Sequence, residues 1–181
     1  MERNWKQVTT FTPSLWIAPL AANRKECEAA KGRFIAGTVQ GYESKPNAQG
    51  TGNNHFYTLA VEATDIKEAQ VYVQGLDGKG DYQPVPVELP NVYSIRAPAQ
   101  LNYILNKYWT HDMYRGCPVK ITYLGLKDVE GNMVHQFRVE EDADFTPQLA
   151  APAPAAQIAH TGPVTVDGAV EEPLPAFDPE A

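Results

Sequence analysis

Cysteine is scarce in this 181-residue chain, and long apolar runs are missing. The two cysteines, Cys27 and Cys117, lie far apart, so they do not form the closely spaced framework of a disulfide-stabilised secreted domain. No segment approaches the roughly 20 consecutive apolar residues that a helix needs to cross a bilayer, and no apolar leader opens the chain. These absences predict a protein of the reducing cytoplasm that has no membrane partner.

Basic residues are absent from the C-terminal part of the chain. All 15 Lys and Arg residues lie at or before Arg138, together with 13 of the 22 acidic residues, so residues 1–138 carry a net charge of +2. Residues 139–181 hold the other nine acidic residues and carry a net charge of −9. The whole-chain charge of −7 therefore describes a faintly basic body joined to a strongly acidic segment.

Familiar catalytic and metal-binding motifs are also missing. The four histidines do not cluster in the sequence, and neither cysteine has a partner at the spacing of a zinc site. The glycine-rich run from Gly75 to Asp81 lacks the residue order of a phosphate-binding loop. The prediction is a non-enzymatic protein without a cofactor. A small enzyme or nuclease accessory that uses a metal at Asp77 and Asp81 is a minor alternative.

Apolar periodicity predicts a mainly β domain with one principal helix. The apolar residues between Leu101 and Trp109 fall at helical spacing, after Pro98 in the first turn and before Gly116 and Pro118. Alternating or apolar runs predict strands at 33–41, 55–64, 69–74, 119–123 and 135–139, with a hairpin turn at 130–132 and a short helix at 23–31. Residues 42–54 are predicted to be a polar loop, and residues 82–96 a proline-interrupted edge or loop.

The order of these elements is β-β-β-α-β-β. It predicts a five-stranded Greek-key barrel of the OB type, with the helix between strands 3 and 4. A small antiparallel sandwich gives a similar order and stays an alternative. We divide the chain into an N-terminal arm with a short helix (1–32), an OB-fold domain (33–144) and a C-terminal tail (145–181).

The tail differs from the body in composition. It contains seven of the 15 prolines and an Ala-Pro run, a composition typical of disordered spacers. Its acidic residues surround two large apolar residues, as in a short docking peptide, and the candidate docking residues are Glu171, Glu172, Leu174, Phe177, Asp178 and Glu180. A tail that only increases solubility is the alternative.

Strand alternation predicts an aromatic and basic outer surface. If the apolar residues of the predicted strands face inward, Phe56 and Tyr72 face outward on the second and third strands, where OB folds bind ligands. Such rings stack unpaired bases, while Lys and Arg contact phosphates. The alternative is that these rings are covered by the N-terminal arm or by a dimer partner. The candidate nucleic-acid-binding residues are Tyr42, Lys45, Phe56, Tyr72, Lys79, Tyr82, Arg96, Lys120 and Arg138.

The combination of an OB body, a Pro/Ala spacer and an acidic segment with an apolar anchor resembles the single-stranded DNA-binding proteins of bacteria and their phages. The segments Gly116-Cys-Pro-Val-Lys-Ile-Thr-Tyr-Leu-Gly-Leu-Lys127 and Gly131-Asn-Met-Val-His-Gln-Phe-Arg-Val-Glu140 are similar to the terminal hairpin of phage-encoded members. The resemblance implies sequence-independent binding of single-stranded DNA in replication, recombination and repair, in the cytoplasm of a bacterial host. It also implies a tail that competes with DNA and docks replication or recombination proteins.

Two questions stay open at the level of sequence. One is whether the chain forms a homo-oligomer. The other is whether it is instead a phage structural or assembly protein, whose β-barrel binds other proteins and buries the same aromatic residues at an interface.

Overall fold

The structure is a computed structural model that describes residues 12–20, 23–74 and 79–147. The chain separates into two units, Met1–Ala150 and Ala151–Ala181, and all described residues belong to the first. Asp77 and the six candidate docking residues lie outside the described residues, namely Glu171, Glu172, Leu174, Phe177, Asp178 and Glu180. The predictions made for them therefore stay predictions.

The described part of the chain is mainly β, as predicted. Its seven strands are β1 (Phe34–Pro46), β2 (Asn53–Thr64), β3 (Glu68–Gln74), β4 (Gly80–Pro86), β5 (Asn91–Ala97), β6 (Pro118–Val129) and β7 (Asn132–Glu141). Its two α-helices are α1 (Arg24–Ala30) and α2 (Ala99–Thr110), and a 3₁₀ turn (Asp112–Tyr114) follows α2.

Helix α2 confirms the prediction made from its apolar stripe. Leu101, Leu105 and Tyr108 are buried, as expected for side chains on one face of a helix. The helix ends at Thr110, before the predicted stop at Gly116, because His111 has extended backbone angles. The short helix α1 is also confirmed, and the side-chain oxygen of its N-cap residue accepts hydrogen bonds from two backbone N–H groups of the first turn.

The strands form two separate sheets. The larger sheet is antiparallel, with the order β5-β2-β1-β6-β7, and β3 and β4 form the second sheet. The third strand of the larger sheet along the chain is therefore β5, and the prediction that residues 69–74 fill this position is wrong. Val73, predicted to face inward, is 45% exposed and lies on the separate β3–β4 sheet. Within the described residues no ladder joins the outer strands β5 and β7, so the sheet is not closed by hydrogen bonds.

The loop predicted at residues 42–54 is mostly strand. β1 continues to Pro46 and β2 begins at Asn53, so only residues 47–52 connect them. The polar residues of this stretch resemble loop residues in composition, but they pair across a two-stranded ladder whose last pair is Pro46–Asn53. The remaining turn is held by the Asn47 side chain, whose oxygen accepts a hydrogen bond from the Thr51 N–H at 3.0 Å.

A β-bulge in β1 changes which side chains face outward. The register between β1 and β2 shifts between Val39 and Gly41, so Gln40 is the additional residue. Regular alternation would place Tyr42 on the outer face, whereas the bulge places it opposite Tyr57, which is fully buried. The prediction that Tyr42 lies in a loop is therefore wrong.

A second bulge lies in β2 at Glu62. The register shifts between Ala36 and Gly37, and Ala63, predicted to face inward, is exposed as a result. Next to this bulge the two backbones approach so closely that a Cβ atom on residue Gly37 would collide with the carbonyl oxygen of Ala60. Only glycine permits this approach.

Residues 12–20 connect the two sheets. Ser14 exchanges two backbone hydrogen bonds with Gln70 on β3, at 2.8 and 2.7 Å, and the Leu15 N–H donates to the Ser94 carbonyl on β5 at 2.9 Å. Leu15 and Ile17 are buried in the core. The described part of the predicted arm therefore packs on the body and positions the β3–β4 hairpin beside β5.

Candidate nucleic-acid interface

The candidate site begins as a row of side chains across three strands. Glu43 on β1 pairs with Phe56 on β2, which in turn pairs with Arg96 on β5. Residues in register on neighbouring antiparallel strands share one face of the sheet, so these three side chains lie side by side. Tyr57, the next residue of β2, is buried on the inner face. The prediction that Phe56 faces outward is therefore confirmed.

The β3–β4 hairpin and residues 12–20 form the other wall of this surface. Together with the row on the sheet they enclose two adjoining hollows of about 600 and 200 Å³ that share Ser14, Phe56 and Tyr82. We refer to both hollows together as the aromatic groove. Its lining includes Trp16, Lys45, Phe56, Tyr72, Tyr82 and Arg96.

Three aromatic rings of the groove contact one another edge to face. The ring centroids of Trp16 and Tyr82 are 5.4 Å apart, and those of Tyr72 and Tyr82 are also 5.4 Å apart. Tyr72 and Tyr82 remain 36% and 47% exposed. The ring of Tyr72 lies directly against Gly80, where a Cβ atom would collide with it. The rings are thus held by their neighbours and still present area to a ligand.

The cations of the groove are placed by local contacts. The Lys45 ammonium lies 5.7 Å from the centre of the Phe56 ring and 3.1 Å from the Glu43 carboxylate. A guanidinium nitrogen of Arg96 donates to the Asn54 side-chain oxygen at 2.9 Å. Two positive charges therefore lie beside Phe56, and one of them is paired with a carboxylate.

The structure brings five of the nine predicted residues to the aromatic groove: Lys45, Phe56, Tyr72, Tyr82 and Arg96. Three were expected in or beside loops, but Lys45 lies on β1, Tyr82 on β4 and Arg96 on β5. Tyr72 was expected on the main sheet and lies on the separate hairpin. Lys79 directly precedes β4 and is exposed.

Tyr42 lies outside the groove, on the inner face of the sheet. Its hydroxyl is hydrogen-bonded to Nδ1 of His55 at 2.8 Å, and its ring centroid is 5.1 Å from that of Tyr57. Burial and the neighbouring Tyr42 raise the pKa of Tyr57 to about 12. The environment of Tyr42 is thus that of a partly buried packing residue.

Lys120 and Arg138 form a separate basic patch. Both face outward as predicted, and their register partners are Glu140 and Thr122, so they lie two positions apart on neighbouring strands. Lys120 also pairs with Ala36, nine residues along β1 from Lys45, which corresponds to about 30 Å of extended strand. The Arg138 guanidinium lies 3.4 Å from the Glu140 carboxylate.

Sequence reasoning did not place Trp16 in the site. The sequence places Trp16 only within the N-terminal arm (1–32), and the described part of that arm packs on the body. Its register against β3 and β5 depends on the hydrogen bonds of Ser14 and Leu15, which no local pattern indicates. The one available signal was an aromatic residue in a segment without helical or strand periodicity.

The described residues contain no group of three or more His, Cys, Asp or Glu side chains arranged to hold a metal ion. The Asp81 carboxylate accepts a hydrogen bond from the Tyr82 N–H at 2.8 Å, as in an ordinary turn or strand end. In the same part of the chain, no helix has the length and apolar character required to cross a membrane.

In comparisons with known proteins, no family model, no curated protein and no solved structure matches this chain.

Proposed function

We propose that this chain is a non-enzymatic protein that binds single-stranded DNA without sequence preference, in phage or bacterial DNA replication, recombination or repair. The observation that carries the proposal is the aromatic groove, whose lining combines the rings of Phe56, Tyr72 and Tyr82 with the cations of Lys45 and Arg96. Bases stack on the exposed rings, and the two cations contact the phosphates between them.

The strand order supports an OB-type fold for this function. A sheet with the order β5-β2-β1-β6-β7 becomes a five-stranded barrel when its outer strands β5 and β7 approach, and α2 lies between the third and fourth of these strands along the chain. The β3–β4 hairpin is then an insertion between the second and third barrel strands. In such a fold the ligand-binding face belongs to strands 2 and 3, here β2 and β5, which carry Phe56 and Arg96.

Contacts near the gap between β5 and β7 are consistent with a partly open barrel. The Phe137 N–H of β7 donates to the side-chain oxygen of Gln100 on α2 at 2.9 Å, in place of a carbonyl from β5. Arg96, Pro98 and His135 line one small cavity of about 110 Å³. The sides of β5 and β7 therefore lie near each other, with side chains rather than a ladder between them.

The lack of sequence preference follows from the type of contact. Every base offers a flat face to an aromatic ring, and a Lys or Arg contact to phosphate does not depend on the base. The groove includes one carboxylate, Glu43, which reduces its attraction for phosphates. We expect moderate affinity that decreases as salt increases, with a slope of log K against log salt no steeper than about −1.4 for two neutralised phosphates.

A fluorescence titration with oligo-dT at two salt concentrations tests the proposal, because Trp16, Tyr72 and Tyr82 report on the groove. We expect quenching that weakens with salt. Phe56→Leu keeps apolar volume but removes the ring, and should weaken binding about fivefold or more, the lower limit for one stacked base. Phe56→Tyr keeps the ring and is the matched control. If the chain shows no quenching even at low salt, the proposal is wrong.

One observation favours the alternative, a phage structural or assembly protein. Leu124, Val129 and Met133 are each more than 40% exposed on β6 and β7, and such apolar residues suit contact with another protein. Stable self-association together with indifference to oligonucleotides would favour this function.

A further inference from the structure

A second groove adjoins the aromatic groove on the other side of Arg96. It has a volume of about 840 Å³ and lies between the start of β2, the end of β5 and α2. Arg96 and Asn54 line both grooves. We refer to the second one as the amide groove, because four asparagines line it: Asn53, Asn54, Asn102 and Asn106.

The lining of the amide groove suits an anionic, hydrogen-bonding ligand. All its lining residues belong to the described part of the chain, and they include Arg96 and Lys107 but no Asp or Glu. The Lys107 ammonium is hydrogen-bonded to the Glu141 carboxylate, so Arg96 supplies most of the available positive charge. The aromatic groove, by comparison, contains the carboxylate of Glu43.

Two of the amides are oriented by the protein itself. The Tyr57 hydroxyl donates to the side-chain oxygen of Asn102 at 2.8 Å, and Arg96 donates to the side-chain oxygen of Asn54 at 2.9 Å. With these oxygens engaged inside the protein, the N–H groups are what both side chains offer to a ligand. Phosphate oxygens and the carbonyl groups of bases accept such hydrogen bonds.

Tyr103 lies on α2 at the edge of the amide groove, and 85% of its surface is exposed. The buried stripe of α2 consists of Leu101, Leu105 and Tyr108, so Tyr103 takes no part in fixing the helix to the sheet. A large ring exposed beside oriented amide donors is the same combination of aromatic surface and polar donors that the aromatic groove presents.

We propose that the path of single-stranded DNA continues from the aromatic groove across Arg96 into the amide groove, where a further base stacks on Tyr103. This inference rests on the proposed function and adds a second binding segment to it. The strand then crosses β5 and reaches α2, so a longer oligonucleotide makes contacts that a short one cannot make.

Two oligonucleotide lengths test the extension. OB folds occupy from about 4 to about 16 nucleotides, and we use oligo-dT of these two lengths with the full chain. The shorter one should occupy the aromatic groove alone, and the longer one should occupy both grooves. Tyr103→Ala should weaken binding of the longer oligonucleotide about fivefold or more and leave the shorter one unchanged. Tyr103→Phe, which keeps the ring, should behave like the parent chain. Because Tyr103 is so exposed, the alanine variant is expected to fold normally.

Leu124→Ala is a matched control, since it truncates another exposed apolar side chain that lines neither groove. Photo-crosslinking with 5-iododeoxyuridine at either end of the longer oligonucleotide should label Tyr103. Equal binding of the longer oligonucleotide by the parent chain and Tyr103→Ala, without label at Tyr103, would overturn the extension. The proposed function would survive this result if Phe56→Leu still weakened both oligonucleotides. Failure of the parent chain to bind either length would overturn both proposals.

Discussion

Glu43 and Lys45 lie two residues apart on the outer face of β1, and their charges are 3.1 Å apart. Both side chains are largely exposed, so the pair contributes little to the stability of the fold. Its effect on a polyanion is larger, because Glu43 occupies the groove in which phosphates would lie and partly neutralises Lys45. If the proposed function is right, the pair should therefore affect the binding of DNA more than it stabilises the fold.

Replacing Glu43 with Gln should tighten the binding of single-stranded DNA at low salt. Lys45 is then free to neutralise one more phosphate, which makes the slope of log K against log salt more negative by up to about 0.7. Titrations at four or more salt concentrations measure the slope. Glu62→Gln removes an exposed carboxylate of β2 far along the strand from Phe56 and should change the slope less. Identical slopes for Glu43→Gln and the parent chain would show that Glu43 does not face the bound strand.

His135 on β7 is a second residue whose charge state matters. Its Nδ1 is hydrogen-bonded to the buried Tyr123 hydroxyl at 2.8 Å. Burial, and then the charge of Arg96, lower the pKa of His135 below its ordinary value. The folded chain therefore holds this imidazole neutral at a pH where the unfolded chain already binds a proton.

The stability of the fold should decrease as the pH falls below about 6.5, the ordinary pKa of histidine. In that range the unfolded state binds the proton first, which lowers the free energy of unfolding until the folded-state pKa is reached. Urea denaturation at pH 7.5 and 5.5 measures the loss, and His135→Asn should lose less stability between these two values than the parent chain. His111→Asn, at an exposed histidine, is the control. This variant should lose as much stability between the two pH values as the parent chain does. An equal loss of stability in His135→Asn and the parent would show that His135 is not the group responsible.

Glu141, whose pKa is lowered by hydrogen bonds from Lys107 and Tyr108, affects stability only at more acidic pH.

At the scale of elements, α2 supports the outer strands of the sheet. Gln100 in its first turn accepts the Phe137 N–H of β7 and donates to the side-chain oxygen of Gln136 at 3.3 Å. At the other end of the helix, Lys107 and Tyr108 both donate to the Glu141 carboxylate, the latter at 2.7 Å. Helix α2 is thus fixed to β7 by polar contacts at both ends and by its apolar stripe between them.

Gln100→Ala should lower the free energy of unfolding by about 1 to 3 kcal/mol, because the partly buried Phe137 N–H loses its acceptor. Gln100→Glu keeps an acceptor oxygen at the same position and should lose less. Urea denaturation of the three chains measures the difference. If both variants were as stable as the parent, the hydrogen bond between Gln100 and Phe137 would not stabilise the fold beside the open edge of β7.

At the scale of the whole molecule, the charge is divided between the body and the C-terminal segment. Residues 145–181 contain five acidic residues and no Lys or Arg. From the sequence we predict that this acidic segment, being part of the same chain, has a high effective concentration at the aromatic groove and competes with DNA for it.

A chain that ends at Asp144 should bind oligo-dT more tightly than the full chain at low salt. The advantage should shrink as salt increases, because screening weakens the competitor as well as the DNA. Parallel titrations of the two chains measure it. Replacing the five acidic residues with Asn or Gln in the full-length chain separates charge from length. If truncation tightened binding but neutralisation did not, the charge-competition model would be wrong.

Local patterns determined most of the elements of this protein. The apolar stripe identified α2, the Glu130-Gly131 pair has the positive φ angles expected of its hairpin turn, and alternation placed Phe56 outward. Each depends on interactions between residues near in sequence, or on a periodicity that one buried face imposes on a segment. The sequence also contains the charge division, which needs no structure.

Only the tertiary structure decided the faces of Tyr42 and Ala63, the separation of the β3–β4 hairpin from the main sheet, and the position of Trp16 beside Tyr82. A bulge belongs to a pair of strands, so neither strand alone indicates where it occurs. The hairpin and residues 12–20 are placed by backbone hydrogen bonds between segments more than 50 residues apart. Backbone groups are the same in every residue apart from proline, and for that reason the sequence does not state which distant segments pair.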